Sequence, residues 1–245
     1  MNLLDAHCHL ANLADVMNVN LLLDEAEANG ITRFASSALR KCEVEWYLSH
    51  PDHRIAFSAG IHPNFDECDL EIADIVHLCE NKQIWAIGEI GLDNGNPEIA
   101  LQRKQFSQQL DLASDFRLPV VLHIVGHHSE AYDTLKKYPL SYLIHGYAGS
   151  REGYNQLKRL NAHFTISSRI MKEDKIDLLK AMLTDKRFLF ETDITQYYIK
   201  KAEPNPLLRL NQLIETCSSL SGISVERLTA IQHQNAKALF KDFVL

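Results

Sequence analysis

The stretch Asn2-Leu3-Leu4-Asp5-Ala6-His7-Cys8-His9-Leu10 sets two histidines two residues apart, each an even step from an aspartate. Its apolar start reads as a buried strand. Side chains of a strand alternate faces, so Asp5, His7 and His9 share one face and Ala6, Cys8 and Leu10 the other. If this is the first strand of a barrel, His7 and His9 point to the mouth. Asp5 then lies deeper, where it can orient an imidazole, and Cys8 faces the surrounding helices. An open doubly wound sheet would carry a glycine-rich turn after its first strand. Nothing here resembles one.

Moving outward, apolar runs recur at 3–9, 31–37, 55–62, 84–92, 119–125, 141–147, 163–168 and 188–193. They are rich in Val, Ile, Leu and Phe, as parallel strands buried on both faces are. Helical patterns separate them. Leu21, Leu22, Leu23 and Ala26 lead to a stop at Gly30. Leu101, Phe106, Leu110 and Ala113 share helical spacing ahead of Pro119, and Leu178 to Leu183 precedes the last strand. Pro206 fits the first turn of a helix over 207–220. Ser224 fits the cap of a final helix, although Arg227 stands where a capping box wants a glutamate. Eight strand–helix alternations predict one α/β domain over residues 1–245, a (β/α)8 TIM barrel.

The 245 residues carry a net charge of −7, which excludes the broad basic surface of a protein that coats nucleic acid. No apolar run reaches membrane-spanning length, and the acidic, histidine-bearing start does not read as a signal peptide. The five cysteines are odd in number and widely spread, without a C-x-x-C pair. A disulfide framework is not expected, and the natural compartment is the reducing cytosol.

TIM-barrel chemistry sits at the C-terminal ends of the strands. Unusual residues recur there: His7 and His9, His62, Glu89 and Asp93, His123, His145, then Glu191 and Asp193. A lone histidine at a strand end is commonly a hydrogen-bonded structural residue, and a lone aspartate commonly caps a helix. Many such groups converging on one mouth are costly to bury unless something satisfies them. A metal ion does that.

These motifs resemble the TatD family of metal-dependent deoxyribonucleases in the amidohydrolase superfamily. The similarity runs through Asp5-Ala6-His7-Cys8-His9-Leu10, Gly60-Ile61-His62-Pro63, Gly88-Glu89-Ile90-Gly91-Leu92-Asp93, 118–123, 145–150, Glu191-Thr192-Asp193 and 235–240. The resemblance implies two divalent metal ions (Zn, Mn or Mg). His7, His9, Glu89 and Asp193 would hold one. Glu89, as bridge, would hold the second with His123 and His145. It implies phosphodiester hydrolysis of DNA, on single strands or ends, with Asp193 taking a proton from the attacking water. His62 would contact the scissile phosphate or the leaving oxygen. Two such ions would add four positive charges locally and offset the acidic balance.

The sequence also departs from the family. Its strand-5 motif usually continues H-x-R followed by a carboxylate, whereas this chain reads His123-Ile124-Val125-Gly126 and so lacks a natural phosphate clamp. Asp193-Ile194-Thr195-Gln196-Tyr197-Tyr198 lacks the proline that usually follows the strand-8 aspartate. Ser167-Ser168-Arg169 stands where a glycine is common, and Arg169 could replace the missing arginine. Tyr147, Tyr197 and Tyr198 offer rings for stacking on bases, with packing as the competing reading. Two alternatives stay open: a C–N or ester hydrolase acting on a small molecule, and a catalytically reduced barrel serving as a partner subunit in a multi-protein system such as phage defence. Strand 4 has Glu89, and no lysine, at the bridging place, which favours the nuclease branch.

Overall fold

The computed structural model describes residues 2–240. Eight strands, β1 (Leu3–Cys8), β2 (Ile31–Ala38), β3 (Ile55–Ala59), β4 (Ile87–Asp93), β5 (Val120–Val125), β6 (Tyr142–Ile144), β7 (Ala162–Ile166) and β8 (Phe188–Phe190), form one parallel sheet in chain order. Helices α1 (Leu10–Leu13), α2 (Val19–Ala28), α3 (Lys41–Ser49), α4 (Ile72–Glu80), α5 (Ile99–Phe116), α6 (His128–Leu135), α7 (Arg151–Leu157), α8 (Ile176–Asp185), α9 (Arg209–Ser221) and α10 (Val225–Phe240) alternate with them. This is the expected (β/α)8 barrel. Among the described residues no helix is long and apolar enough to cross a membrane.

Several strands end earlier than the apolar runs that announce them. β3 stops at Ala59, β6 at Ile144 and β8 at Phe190. The residues beyond leave the ladder and carry the polar groups into the mouth. The final helix starts as expected: Arg227 N donates to Ser224 Oγ at 3.3 Å. The helix expected to run directly from Pro206 differs. Pro206–Leu208 is a 3-10 turn, and α9 begins only at Arg209.

Two apolar layers hold the barrel. Residues such as Phe34, Leu122, Tyr142, Phe164 and Phe188 pack outward beneath the helices. Leu4, Ala6, Ala35, Val121, Leu143 and Leu189 pack inside, and Leu239 and Phe240 of α10 close the bottom. Strict alternation had set Ala6 on the outer face with Cys8. Pairing of β1 with β2 shifts register between Asp5 and Cys8, and a bulge of this kind breaks the alternation. Ala6 therefore packs inside, while Cys8 lies among the outer residues as expected.

Closure between β1 and β8 uses few ladder bonds. Asp193 N donates to His7 O at 3.0 Å, and His9 N donates to Ile194 O at 3.1 Å. Lower in the seam, Asp5 accepts from Thr192 N at 3.0 Å and from Thr192 Oγ1 at 2.6 Å. Gln232 of α10 bridges the rest: its Oε1 accepts from Phe190 N at 2.7 Å and its Nε2 donates to Leu4 O at 2.9 Å. One side-chain amide thus does what a peptide group of a neighbouring strand would do.

Candidate metal centre

At the C-terminal mouth a cavity of about 220 Å3 is lined by His9, His62, Glu89, His123, His145 and Asp193, among others. A larger cavity, about 750 Å3, opens at the opposite end beside Trp85, Pro119 and Phe240. Its lining brings no comparable ligand set together.

Glu89 organises the mouth. Its Oε1 lies 3.4 Å from His7 Nε2 and 3.3 Å from His9 Nε2. Both nitrogens also lie 3.6 Å from Asp193 Oδ1. Its other oxygen, Oε2, faces His145 Nε2 at 2.6 Å, His123 Nδ1 at 3.6 Å and His62 Nε2 at 3.6 Å. Glycine makes this approach possible. A Cβ on Gly91, at φ +153°, would fall 1.9 Å from His123 O, so only glycine lets β4 press this closely on β5. Past the end of β8, Asp193 adopts a left-handed φ of +52°, a conformation aspartate tolerates better than most residues.

The donor set fits a divalent cation. His7 Nε2 and Glu89 Oε1 are buried, face each other and have no hydrogen-bond partner, a costly arrangement unless a cation fills the space. The four atoms around that space stand 3.3–3.6 Å apart in the pairs given above. Four ligands about 2.0–2.2 Å from a tetrahedral ion lie roughly 3.3–3.6 Å from one another.

The histidines of the cluster differ in how readily they hold a proton. Burial acts against charge on His9, but Asp193 and Glu89 outweigh it and lift the imidazole to about 9. His123 also rises to about 9, because bonds to Asp93 and Glu89 overcome burial. His145 falls to about 4 through burial and the neighbouring His7. His62 is pushed down to about 3 by burial and by His123, so it is neutral. Its Nδ1 accepts from Asn64 N at 2.9 Å. That leaves the proton on Nε2, and His62 faces the cavity as a donor rather than as a ligand.

All the strand-end residues singled out in the sequence meet here: His7, His9, His62, Glu89, His123, His145 and Asp193. Arg169 stands at the rim, with Nη2 2.5 Å from Asp193 Oδ2. Tyr147 does not take part. It is buried against Tyr154 and Phe164, and its hydroxyl donates to Ser150 O, so it presents no ring face to a ligand. Tyr197 and Tyr198 do line the cavity, 60% and 57% exposed.

Two partners had no assigned role in the sequence, although both lie inside quoted motifs. Asp93 Oδ2 lies 2.8 Å from His123 Nε2, which turns His123 Nδ1 toward Glu89. Glu191 is fully buried. Burial and the Asp193 charge raise its carboxyl well above the ordinary range, and its Oε1 accepts from Gly146 N at 2.8 Å. An even spacing from Glu89 to Asp93 and from Glu191 to Asp193 was the available signal.

The chain matches the family described as TatD related DNase over residues 4–241. It is 28% identical to a "3'-5' ssDNA/RNA exonuclease TatD" of Pantoea ananatis, across 88% of this chain and 89% of that one. It is 24% identical to an uncharacterized metal-dependent hydrolase of Methanocaldococcus jannaschii, across 97% and 96%. Among solved structures, a TatD homologue from Escherichia coli K12 superposes with a TM-score of 0.83 at 22% identity, covering 97% of each chain.

Proposed function

Because the chain belongs to the TatD-related DNase family and is a metal-dependent hydrolase, we propose that it cleaves phosphodiester bonds of DNA at single strands or ends. The observation that carries this reading is the division of Glu89 between two nitrogen sets, Oε1 toward His7 and His9 and Oε2 toward His123 and His145. We assign one divalent ion to His7, His9, Glu89 and Asp193, and a second to Glu89, His123 and His145. The nitrogen-rich shell favours Zn or Mn, with Mg as a further candidate. Bound there, the ions would acidify a water and neutralise phosphate charge.

The chain's own groups supply the rest. Asp193 accepts the proton of the attacking water. His62 Nε2–H, fixed by the bond that Nδ1 accepts from Asn64 N, donates to the phosphate or to the departing oxygen. Arg169 contacts the phosphate in place of the arginine missing after His123. A cavity of about 220 Å3 admits a flexible strand more readily than a duplex, and the exposed rings of Tyr197 and Tyr198 suit unstacked bases. All five cysteines are unpaired, in keeping with a reducing compartment.

The test uses end-labelled single-stranded and duplex DNA with wild type, Glu89→Ala and Asp193→Ala, in chelator and in added Zn, Mn or Mg. Wild type should release nucleotide from single strands in a metal-dependent way, with both variants near background. Equal release by all three proteins would end the nuclease reading. Hydrolysis of amides or lactones without DNA cleavage would move the activity to the small-molecule branch.

A further inference from the structure

Next to the cavity at the mouth lies a second basin of about 490 Å3, lined by Ser168, Arg169, Tyr198 and Arg209, among others. The two share Arg169, Asp193 and Tyr198 as a common wall. The basin sits past the ends of β7 and β8, where (β/α)8 barrels frequently bind phosphate.

Its cations are held in place. Arg209 engages Glu203 with both Nε and Nη2, and Nη2 also donates to Tyr198 O at 2.8 Å. That clamps the guanidinium plane and leaves Nη1 without a partner among the described residues. Glu203 is not among the residues lining the basin. Arg169 spends one Nη2 contact on Asp193 Oδ2, so its remaining N–H groups are free for a ligand. The one carboxylate on the wall, Asp193, is engaged on both oxygens, by Arg169 and by the His7–His9 pair. Ser168 adds an exposed hydroxyl, and Lys200 and Lys201 are exposed on the connection from Tyr198 to Arg209.

We infer that this basin is a phosphate subsite, holding the phosphodiester next to the one being cut on the same strand. The inference rests on the nuclease reading for its ligand. A strand would cross the shared wall, with its scissile phosphate at the Glu89 cluster, its neighbour at Ser168 and Arg209, and Arg169 on the wall between the two.

The experiment compares wild type, Arg209→Gln and Arg209→Lys on the dinucleotide dTpdT, which has one phosphodiester, and on the tetranucleotide (dT)4, which has several. The ratio of kcat/KM for (dT)4 over dTpdT should fall about ten-fold in Arg209→Gln, the loss of one charge-assisted hydrogen bond, and recover in part in Arg209→Lys. Binding of fluorescent (dT)4 in chelator, where nothing is cut, gives a second readout. The slope of log K against log salt should become shallower by about 0.7 in Arg209→Gln, as for one lost phosphate contact on a single strand. Equal losses on both substrates would mean that Arg209 only supports the Tyr198 loop, and would overturn the subsite. So would an unchanged ratio and slope, even with wild-type cleavage intact. If wild type binds (dT)4 with the Arg209-dependent slope but cuts nothing, the subsite stands and the nuclease reading fails.

Discussion

Asp93 Oδ2 sits 2.8 Å from His123 Nε2, and this contact decides which nitrogen of His123 faces Glu89. Gly95 N donates to the other oxygen of Asp93 at 2.7 Å, so the carboxylate cannot swing away. Asp93→Asn presents an amide that can donate into His123 and favours the wrong tautomer. We expect metal affinity to fall about 10–100-fold with the fold retained. Competition against a chromophoric chelator, alongside circular dichroism, checks this. Unchanged affinity would limit Asp93 to holding the turn at Gly95.

Metal removal should cost stability. The facing, unpartnered His7 Nε2 and Glu89 Oε1 are satisfied only when a cation is present. At a free metal concentration 100 times Kd, binding stabilises by about 2.7 kcal/mol. For a chain of this size that is a rise in Tm of roughly 5–10 °C. Thermal melts of chelated protein titrated with Zn or Mn should show it, and the rise should vanish in Glu89→Ala.

His163, far from the mouth, supplies a pH dependence of folding. Burial, then the Arg187 charge, holds its imidazole down to about 4. The unfolded chain takes up a proton near 6.5 while the folded chain does not. The contribution is therefore whole above about 6.5 and is lost as the pH falls from there through about 4. Urea midpoints at pH 7 and pH 4.5 should converge more closely in His163→Gln than in wild type. An equal drop in both proteins would locate the acid sensitivity elsewhere.

Tyr147 and Tyr197 should separate stability from binding. Tyr147→Ala empties a packed site and should cost about 3–5 kcal/mol in urea unfolding. Tyr197→Ala removes an exposed ring and should change stability by no more than about 0.5 kcal/mol. The same Tyr197 change should raise KM for single-stranded DNA about five-fold through lost stacking, while sparing methyl p-nitrophenyl phosphate. A stability loss in Tyr197→Ala, or an unaltered KM, would contradict the assignment.

Gln232→Leu keeps the bulk of the side chain and removes both of its hydrogen bonds, leaving Phe190 N and Leu4 O buried without partners. Each orphaned group costs about 1–3 kcal/mol, so we expect a loss of about 2–6 kcal/mol in denaturant unfolding. A near-neutral effect would show that ladder bonds alone hold the seam.

The barrel was legible because its strands are buried on both faces and read as largely apolar runs, with histidines and carboxylates gathered toward their ends. The polar cluster at the mouth was legible for a related reason: His7, Glu89, His123, His145 and Asp193 fall in or just past the C-terminal halves of those runs. Side-chain hydrogen bonds between distant residues leave no such pattern. Nothing local pairs Asp93 with His123, fixes the tautomer of His62 through Asn64, or sets Gln232 between β1 and β8. Ala6 was misplaced because a register shift is a property of two strands, and alternation within one cannot reveal it. Tyr147 follows a strand-end histidine, as a ligand-facing residue would. Its ring instead turns into the helix layer, where the absence of a side chain on Gly153 makes room for its hydroxyl.

The seam also orders events in synthesis. Domains emerge from the ribosome N-terminus first, so His7 and His9 appear long before Asp193, and Gln232 later still. Until Asp193 emerges, His7 and His9 lack one of the two carboxylates that face them, and until Gln232 follows, Leu4 and Phe190 have no bridge.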